Sequence, residues 1–256
     1  MDLFHIIGLF SLGLTLGSFY NVVGLRVPIG ESIVTPPSHC PTCGYRLTAL
    51  DLVPVVSYVG LKGACRSCSS KISPLYPVME FLTGSLFALS YYTFGWSPEL
   101  LVALLFVSLL IIITVSDITY TLIPNKVLLL FGILLFLARL WSPLTPWWDA
   151  LLGAFVGFGL LILVAKLSLW LFKKDGMGGG DIKLYFVLGL VLGTKGVFLS
   201  LFLASVIGLF IGLLYERMKT KEEEGFPFGP AIAIAALLTY FFGSTLVDWY
   251  LSFFEF

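Results

Sequence analysis

The chain alternates long apolar stretches with short polar connections, and the apolar stretches are too uniform to be the one-sided faces of soluble helices. They run from the N-terminus through about Val23, and then over roughly 74–94, 98–116, 124–141, 147–172, 183–193, 196–215 and 228–250. Most approach the roughly 20 residues that a helix needs to cross a bilayer. The pattern predicts an all-α polytopic membrane protein with about eight transmembrane helices. The stretch 183–193 is short for a span, and only the polar run Gly193 to Gly196 divides it from the next. One polar connection is long. Residues 26–73 are predicted to form a small loop domain between a first span, 1–25, and a helical core, 74–256.

Composition agrees with this reading. Of 256 residues, 58% are hydrophobic and 12% charged, more apolar than a soluble core requires. The formal net charge is +0, and no basic run is interleaved with aromatics, so nothing in the charge pattern points to a nucleic-acid partner and none is expected. The first stretch has no basic leader and no small-x-small cleavage pattern, which reads as a retained span rather than a signal peptide.

The distribution of charge orients the spans. With the N-terminus outside, Arg26, Arg46, Lys62, Arg66, Lys71, Lys126, Lys173, Lys174, Lys183, Arg217, Lys219 and Lys221 fall on the inner side, and Arg139 and Lys195 on the outer. Cytoplasmic connections carry the excess of Lys and Arg, so the loop 26–73 and the charged stretch 216–224 are predicted to be cytoplasmic. The same topology puts Asp117 and Asp181 on one cytoplasmic face. Reversing it would move both together, whereas losing one helix would separate them.

All four cysteines lie in the loop, as Cys40-x2-Cys43 and, after 21 residues, Cys65-x2-Cys68. Two such turns can each present a pair of thiolates to one tetrahedral ion, the four-sulfur arrangement of structural zinc. Two disulfides or a redox pair are the alternatives, and a reducing cytoplasm favours the metal. With four thiolates the coordination shell closes, so the zinc is structural, and His39 is a neighbour rather than a ligand.

Asp117 ends the apolar run LLFVSLLIIITVS, and Asp181 sits in KKDGMGGGDIKL. A carboxylate at membrane depth is costly unless paired or hydrated, and by default points to function. Two carboxylates brought together share a proton and offer both a general base and a general acid, the equipment of aspartyl proteolysis. Gly178, Gly179 and Gly180 remove side chains ahead of Asp181, leaving backbone that an extended substrate can approach. Lys183 can help settle the charge of such a pair or snorkel to the interface. The plainer alternative for each aspartate is a solvated helix cap. A transporter is the rival from another class, since intramembrane acids also line proton and ion paths. Gly153 and Gly157, four residues apart, mark a face where a second helix can come close.

Together these residues resemble the type IV prepilin peptidases, membrane aspartyl proteases of the GxGD class. The resemblance is carried in order by GSFYNVVGLRVP at 17–28, the cysteine segment 38–68, YPVMEFLTG at 76–84, DITYTLIPN at 117–125, GGGDIKL at 178–184 and FPFGP at 226–230. It implies a bacterial inner-membrane enzyme that uses Asp117 and Asp181 to remove the leader of type IV pilin-like precursors at the cytoplasmic face. For members with the cysteine loop it also implies methylation of the new N-terminus by S-adenosylmethionine, and it points to Glu80 and Gly84 for that step. The rival for Glu80 is a carboxylate bonded to another span. Leu75 and Ser38 stand where the family commonly has arginine, which touches a local charge contact near the loop and not the aspartates.

Overall fold

A computed structural model of the protein describes residues 2–173, 178–218 and 226–252. Lys174, Lys219 and Lys221 of the basic tally, and residues 219–224 of the charged stretch, lie outside the described residues. Among the described residues eight helices follow in order: α1 Asp2–Arg26, α2 Val56–Gly60, α3 Leu75–Phe94, α4 Pro98–Tyr120, α5 Asn125–Trp141, α6 Asp149–Phe172, α7 Gly179–Met218 and α8 Gly229–Ser252. Among the described residues there is no strand, only two isolated bridges, His39 with Arg46 and Ala64 with Lys71. Five helices, α1, α4, α6, α7 and α8, are long and apolar enough to cross a membrane.

α7 is two helices joined at a break. Gly193 has φ 67° and ψ −178° in the middle of its 40 residues, so the predicted boundary at the Gly193 run exists, without an intervening loop. In a lipid environment a broken helix must find partners for its freed backbone groups, and two side chains supply them here. Arg139, buried on α5, donates from Nη2 to the Val191 carbonyl at 2.6 Å. Asp149, in the first turn of α6, accepts from Thr194 Oγ1 at 2.7 Å and from the Thr194 N–H at 3.3 Å. A cation thus meets the carbonyl end of one half and an anion the amide end of the other, the signs that the helix dipole favours.

The chain divides into two compact units, Met1–Ser116 and Asp117–Phe256. In the first, α1 packs along α3 through small residues. A Cβ at Gly13 would stand 2.7 Å from the Gly84 Cα, and one at Gly84 would stand 3.0 Å from the Phe10 carbonyl. Asn21 donates from Nδ2 to the Tyr76 carbonyl of α3 at 3.2 Å, the cross-helix bond that a buried amide seeks. The polar loop belongs to this unit because it is tied to the helices. Arg26 holds the Ser32 and Pro36 carbonyls at 3.0 and 2.7 Å, and Glu80 holds the loop at Val55. In the second unit α5, α6 and α8 pack against α7. Gly153 and Gly157 lie where α6 approaches α7, with a Cβ at Gly157 only 2.7 Å from the Tyr185 carbonyl.

Gly13 and Gly8 share a helix but not an environment, since nothing lies within 4 Å of a Cβ at Gly8. Gly13→Leu is expected to lower stability by about 1–3 kcal/mol through overpacking, and Gly8→Ala to leave it unchanged or slightly raised, read as melting temperatures in detergent. Equal behaviour of the two variants would contradict the α1–α3 crossing.

Candidate active site and metal centre

The second unit gathers three helix ends around Asp117. α4 finishes with Thr121 in the left-handed region at φ 49°, its N–H bonded to the Asp117 carbonyl at 2.8 Å, and α5 starts after Pro124. Asp117 occupies the last turn of α4 and is 6% exposed. Its Oδ2 accepts the Gly229 N–H at 2.7 Å. Gly229 opens α8, so the donor is one of the N-terminal amides for which a helix has no internal acceptor. The positive end of the α8 dipole therefore faces the carboxylate. Only glycine fits there, because a Cβ at position 229 would lie 2.8 Å from that same oxygen.

Asp181 is the third residue of α7, half-buried, with its N–H bonded to the Gly178 carbonyl at 3.1 Å. Gly180 lets this turn press against Ile123, whose Cβ would be 2.8 Å from any Cβ at Gly180. Asp117 is near enough to Asp181 for its charge to act on that carboxyl. Gly178 and Gly179 are exposed beside Asp181. The Lys183 ammonium goes elsewhere: it donates to Asn125 Oδ1 at 2.9 Å, tying α7 to the segment that follows Asp117.

The pairings of Gly229 with Asp117 and of Asn125 with Lys183 are not apparent in the sequence pattern. A signal existed for Gly229, since Gly-Pro at a helix start leaves amides that need an acceptor.

In the first unit, Glu80 is 8% exposed and takes the Val55 N–H on Oε2 at 2.7 Å, with the Ser18 hydroxyl as a further partner. Val55 has φ 61° and ψ −49°, and the Val56 N–H closes a tight turn on the Pro54 carbonyl at 2.6 Å. A β-branched residue at positive φ is strained and persists where its surroundings over-determine it. Here the Glu80 carboxylate supplies that grip. Gly84, on the same helix as Glu80, lies at the α1–α3 crossing.

The four cysteines converge. Their sulfurs all lie within 4.8 Å of one another, and no other such group occurs among the described residues. Cys40 Sγ and Cys68 Sγ are 3.8 Å apart, which matches the edge of a tetrahedron with metal–sulfur bonds of about 2.3 Å. The two halves repeat one turn. The Cys40 N–H bonds to the Tyr45 carbonyl and the Gly44 N–H to the Cys40 carbonyl, as the Cys65 N–H does to Ser70 and the Ser69 N–H to Cys65, all at 2.9 Å. Gly44 and Ser69 occupy the same positive-φ position, φ 70° and 57°. The group can hold one metal ion, and its donor set fits zinc. His39 stays outside it, bonded through Nδ1 to the Pro37 carbonyl at 3.0 Å.

Asp51 braces this module. Its Oδ2 accepts the Thr48 N–H and hydroxyl at 3.0 and 2.7 Å, and its Oδ1 accepts Arg66 Nε at 2.7 Å. The Thr48 hydrogen bonds, with the Arg66 guanidinium, hold its carboxyl down at about 2.

Comparison with known proteins bears on both units. The Bacterial Peptidase A24 N-terminal domain matches residues 11–94, and the Type IV leader peptidase family matches residues 104–213. The chain is 43% identical over 246 residues to the prepilin leader peptidase/N-methyltransferase of Bacillus subtilis (strain 168), covering 95% of this chain and 96% of the relative. It is 35% identical to the protein of that name from Aeromonas salmonicida (strain A449), covering 97% and 94%, and 33% identical to that of Neisseria gonorrhoeae, covering 94% and 93%. No solved structure matches.

The depressed Asp51 value gives a pH signature. Its folded value lies below the ordinary ~3.9 of aspartate, so the stabilisation it provides is complete above about 4 and is lost as pH falls to about 2. The Thr48 amide resonance is expected to titrate with a midpoint at about 2, and Asp51→Asn to abolish that titration. A midpoint near the ordinary value would contradict the bracing.

Proposed function

The chain belongs to the type IV leader peptidase family, and we propose that Asp117 and Asp181 are the catalytic pair with which it removes the leader of type IV pilin-like precursors. It is a prepilin leader peptidase and N-methyltransferase, as its relatives are named. The observation that carries the site assignment is the buried Asp117 carboxylate, held by the Gly229 N–H and within the field of Asp181.

Hydrolysis follows from a pair that shares one proton. The ionised carboxylate takes a proton from water, whose oxygen attacks the scissile carbonyl carbon. The protonated carboxyl donates to the carbonyl oxygen, and collapse of the tetrahedral adduct expels the new amine, which leaves with a proton from the pair. Water and substrate need an approach, and exposed Gly178 and Gly179 beside half-buried Asp181 offer backbone without side chains to an unwound segment of precursor. Asn125 and Lys183 keep that backbone in place.

A transporter reading has no support. Asp117 and Asp181 sit in the last turn of α4 and the first turn of α7, at helix ends rather than along a path through the bundle.

The remaining assignments complete the picture. Cys40, Cys43, Cys65 and Cys68 hold structural zinc, whose closed shell fixes the loop without taking part in hydrolysis. The N-terminus is outside, with the loop and the aspartates at the cytoplasmic face of the bacterial inner membrane, the basic connections anchoring that orientation. Eight crossings are counted when α3, α5 and the two halves of α7 each span. The first span, the zinc loop and the helical core from residue 74 are successive functional segments. S-adenosylmethionine is the methyl donor and, when bound, supplies an electrophilic methyl group on sulfonium sulfur. Glu80, buried and pinned, is the carboxylate that receives the substrate's new amino group.

The test is incubation of purified protein with a pilin-like precursor, with and without S-adenosylmethionine, followed by mass spectrometry of the mature end. Asp117→Asn and Asp181→Asn are each expected to reduce leader removal by at least ~100-fold, while both variants still insert and retain one zinc per chain by metal analysis. Processing that survives either substitution would reject the dyad, and a chain free of zinc would reject the metal assignment.

A further inference from the structure

The polar loop of the first unit contains an apolar segment of its own. Residues 52–60, LVPVVSYVG, hold no charged side chain, and Leu52, Val53, Val56 and Val59 are exposed, the last two at 66% and 68%. Asp51, at the edge of the segment, turns inward onto Thr48 and Arg66 until its side chain is 2% exposed. Apolar side chains gathered on an open surface mark a contact with lipid or with protein.

The register of α1 against α3 gives the level of this segment. The two helices run antiparallel: a Cβ at Gly13 would meet Gly84, one at Gly17 would lie 2.9 Å from the Glu80 Cα, and Asn21 bonds to the Tyr76 carbonyl. Gly17 is nine residues before Arg26, the end of α1, or about 13 Å along the helix axis. Glu80 is level with Gly17, and its Oε2 takes the Val55 N–H. Helical side chains lean toward the N-terminus of their helix, here the loop end of α3, and a glutamate spans no more than about one turn, ~5.4 Å. Val55 therefore stands about 8 Å deeper than Arg26. α1 is about 37 Å long against a hydrocarbon core of about 30 Å, so with α1 centred Val55 lies about 4 Å inside the hydrocarbon boundary.

The backbone there suits a medium without water. Irregular chain at membrane depth needs its polar groups satisfied by the protein. The N–H groups of Val55, Val56, Ser57, Val59 and Leu61 all have acceptors, namely the Glu80 carboxylate and the carbonyls of Pro54, Val53, Val55 and Ser57. On α3 the residues around Glu80 that face outward are Val78, Phe81 and Leu82, all exposed, so lipid is already the neighbour at this level. Lys62, exposed directly after the segment, and exposed Arg46 and Lys71 bring positive charge for headgroup phosphates.

We propose that residues 52–60 insert into the bilayer, with Val56 and Val59 among acyl chains and Lys62 at the phosphates of the leaflet on the Arg26 side. The partner is an anionic lipid surface, and the loop is held against it by its own apolar tip. The inference rests on α1 crossing the membrane and on neither catalytic assignment.

The test uses the full-length chain with its metal in vesicles of phosphatidylethanolamine and phosphatidylglycerol. A photoreactive diazirine analogue of leucine replaces Val56 or Val59 in separate variants, and replaces Leu12, exposed on α1, as the lipid-facing reference. After illumination, mass spectrometry of peptides reads what each probe has captured, with folding checked by melting. Phospholipid adducts at positions 56 and 59 are expected at no less than about one-third of the yield at position 12, since all three lie in hydrocarbon. The unmodified chain gives a second reading: a lipid-soluble aryl diazirine photolysed in the vesicles is expected to label segment 52–60 along with α1 and α3. Capture of water alone at 56 and 59, or of a second copy of the chain, with lipid adducts at 12, would overturn the insertion. So would labelling of the unmodified chain that spares 52–60. Leader removal by the parent chain is unaffected by either result.

Discussion

The hydrogen bond from the Gly229 amide to Asp117 is the constraint around which the second unit is arranged. A carboxylate buried among apolar helices needs donors, and a helix N-terminus needs acceptors. α8 and Asp117 satisfy both needs with one contact of 2.7 Å. The same economy recurs at the break in α7, where Arg139 takes the Val191 carbonyl and Asp149 takes the Thr194 amide. Where lipid excludes water, each interruption of a helix has to be answered by a side chain. These answers fix which helix ends meet, and so where chemistry can occur.

Close approach is the second half of that constraint. Gly229 can stand beside Asp117 only without a Cβ, and Gly180 can press on Ile123 only on the same condition. At these positions glycine reports close packing rather than flexibility. Gly84 shows the consequence, standing where α1 and α3 cross with Gly13 against it.

Much of this was legible in the sequence, and the division between what was and was not has a physical basis. Local signals survive in one dimension. Each predicted apolar stretch became a helix, the Gly193 run did interrupt one, Gly153 and Gly157 did mark an approach, and the spacing of Cys40, Cys43, Cys65 and Cys68 did foretell a cluster. Pairings across long separations leave no such trace. The bond from Gly229 to Asp117 spans 112 residues and that from Lys183 to Asn125 spans 58, and neither periodicity nor composition selects those partners. The compact units cut across the polar–apolar pattern for a related reason: Arg26 and Glu80 hold a hydrophilic loop against apolar helices.

The central claim is that folding places Asp117 and Asp181 side by side. The most direct measurement is cross-linking of an Asp117→Cys, Asp181→Cys double variant with a short thiol-reactive bifunctional reagent, followed by mass spectrometry of the intact chain and of its peptides, which tells a bridge between the introduced thiols from one at the four native cysteines. One reagent bridging the two introduced thiols is the expected result. Two separate adducts, one on each reactive thiol and no bridge, would contradict the account.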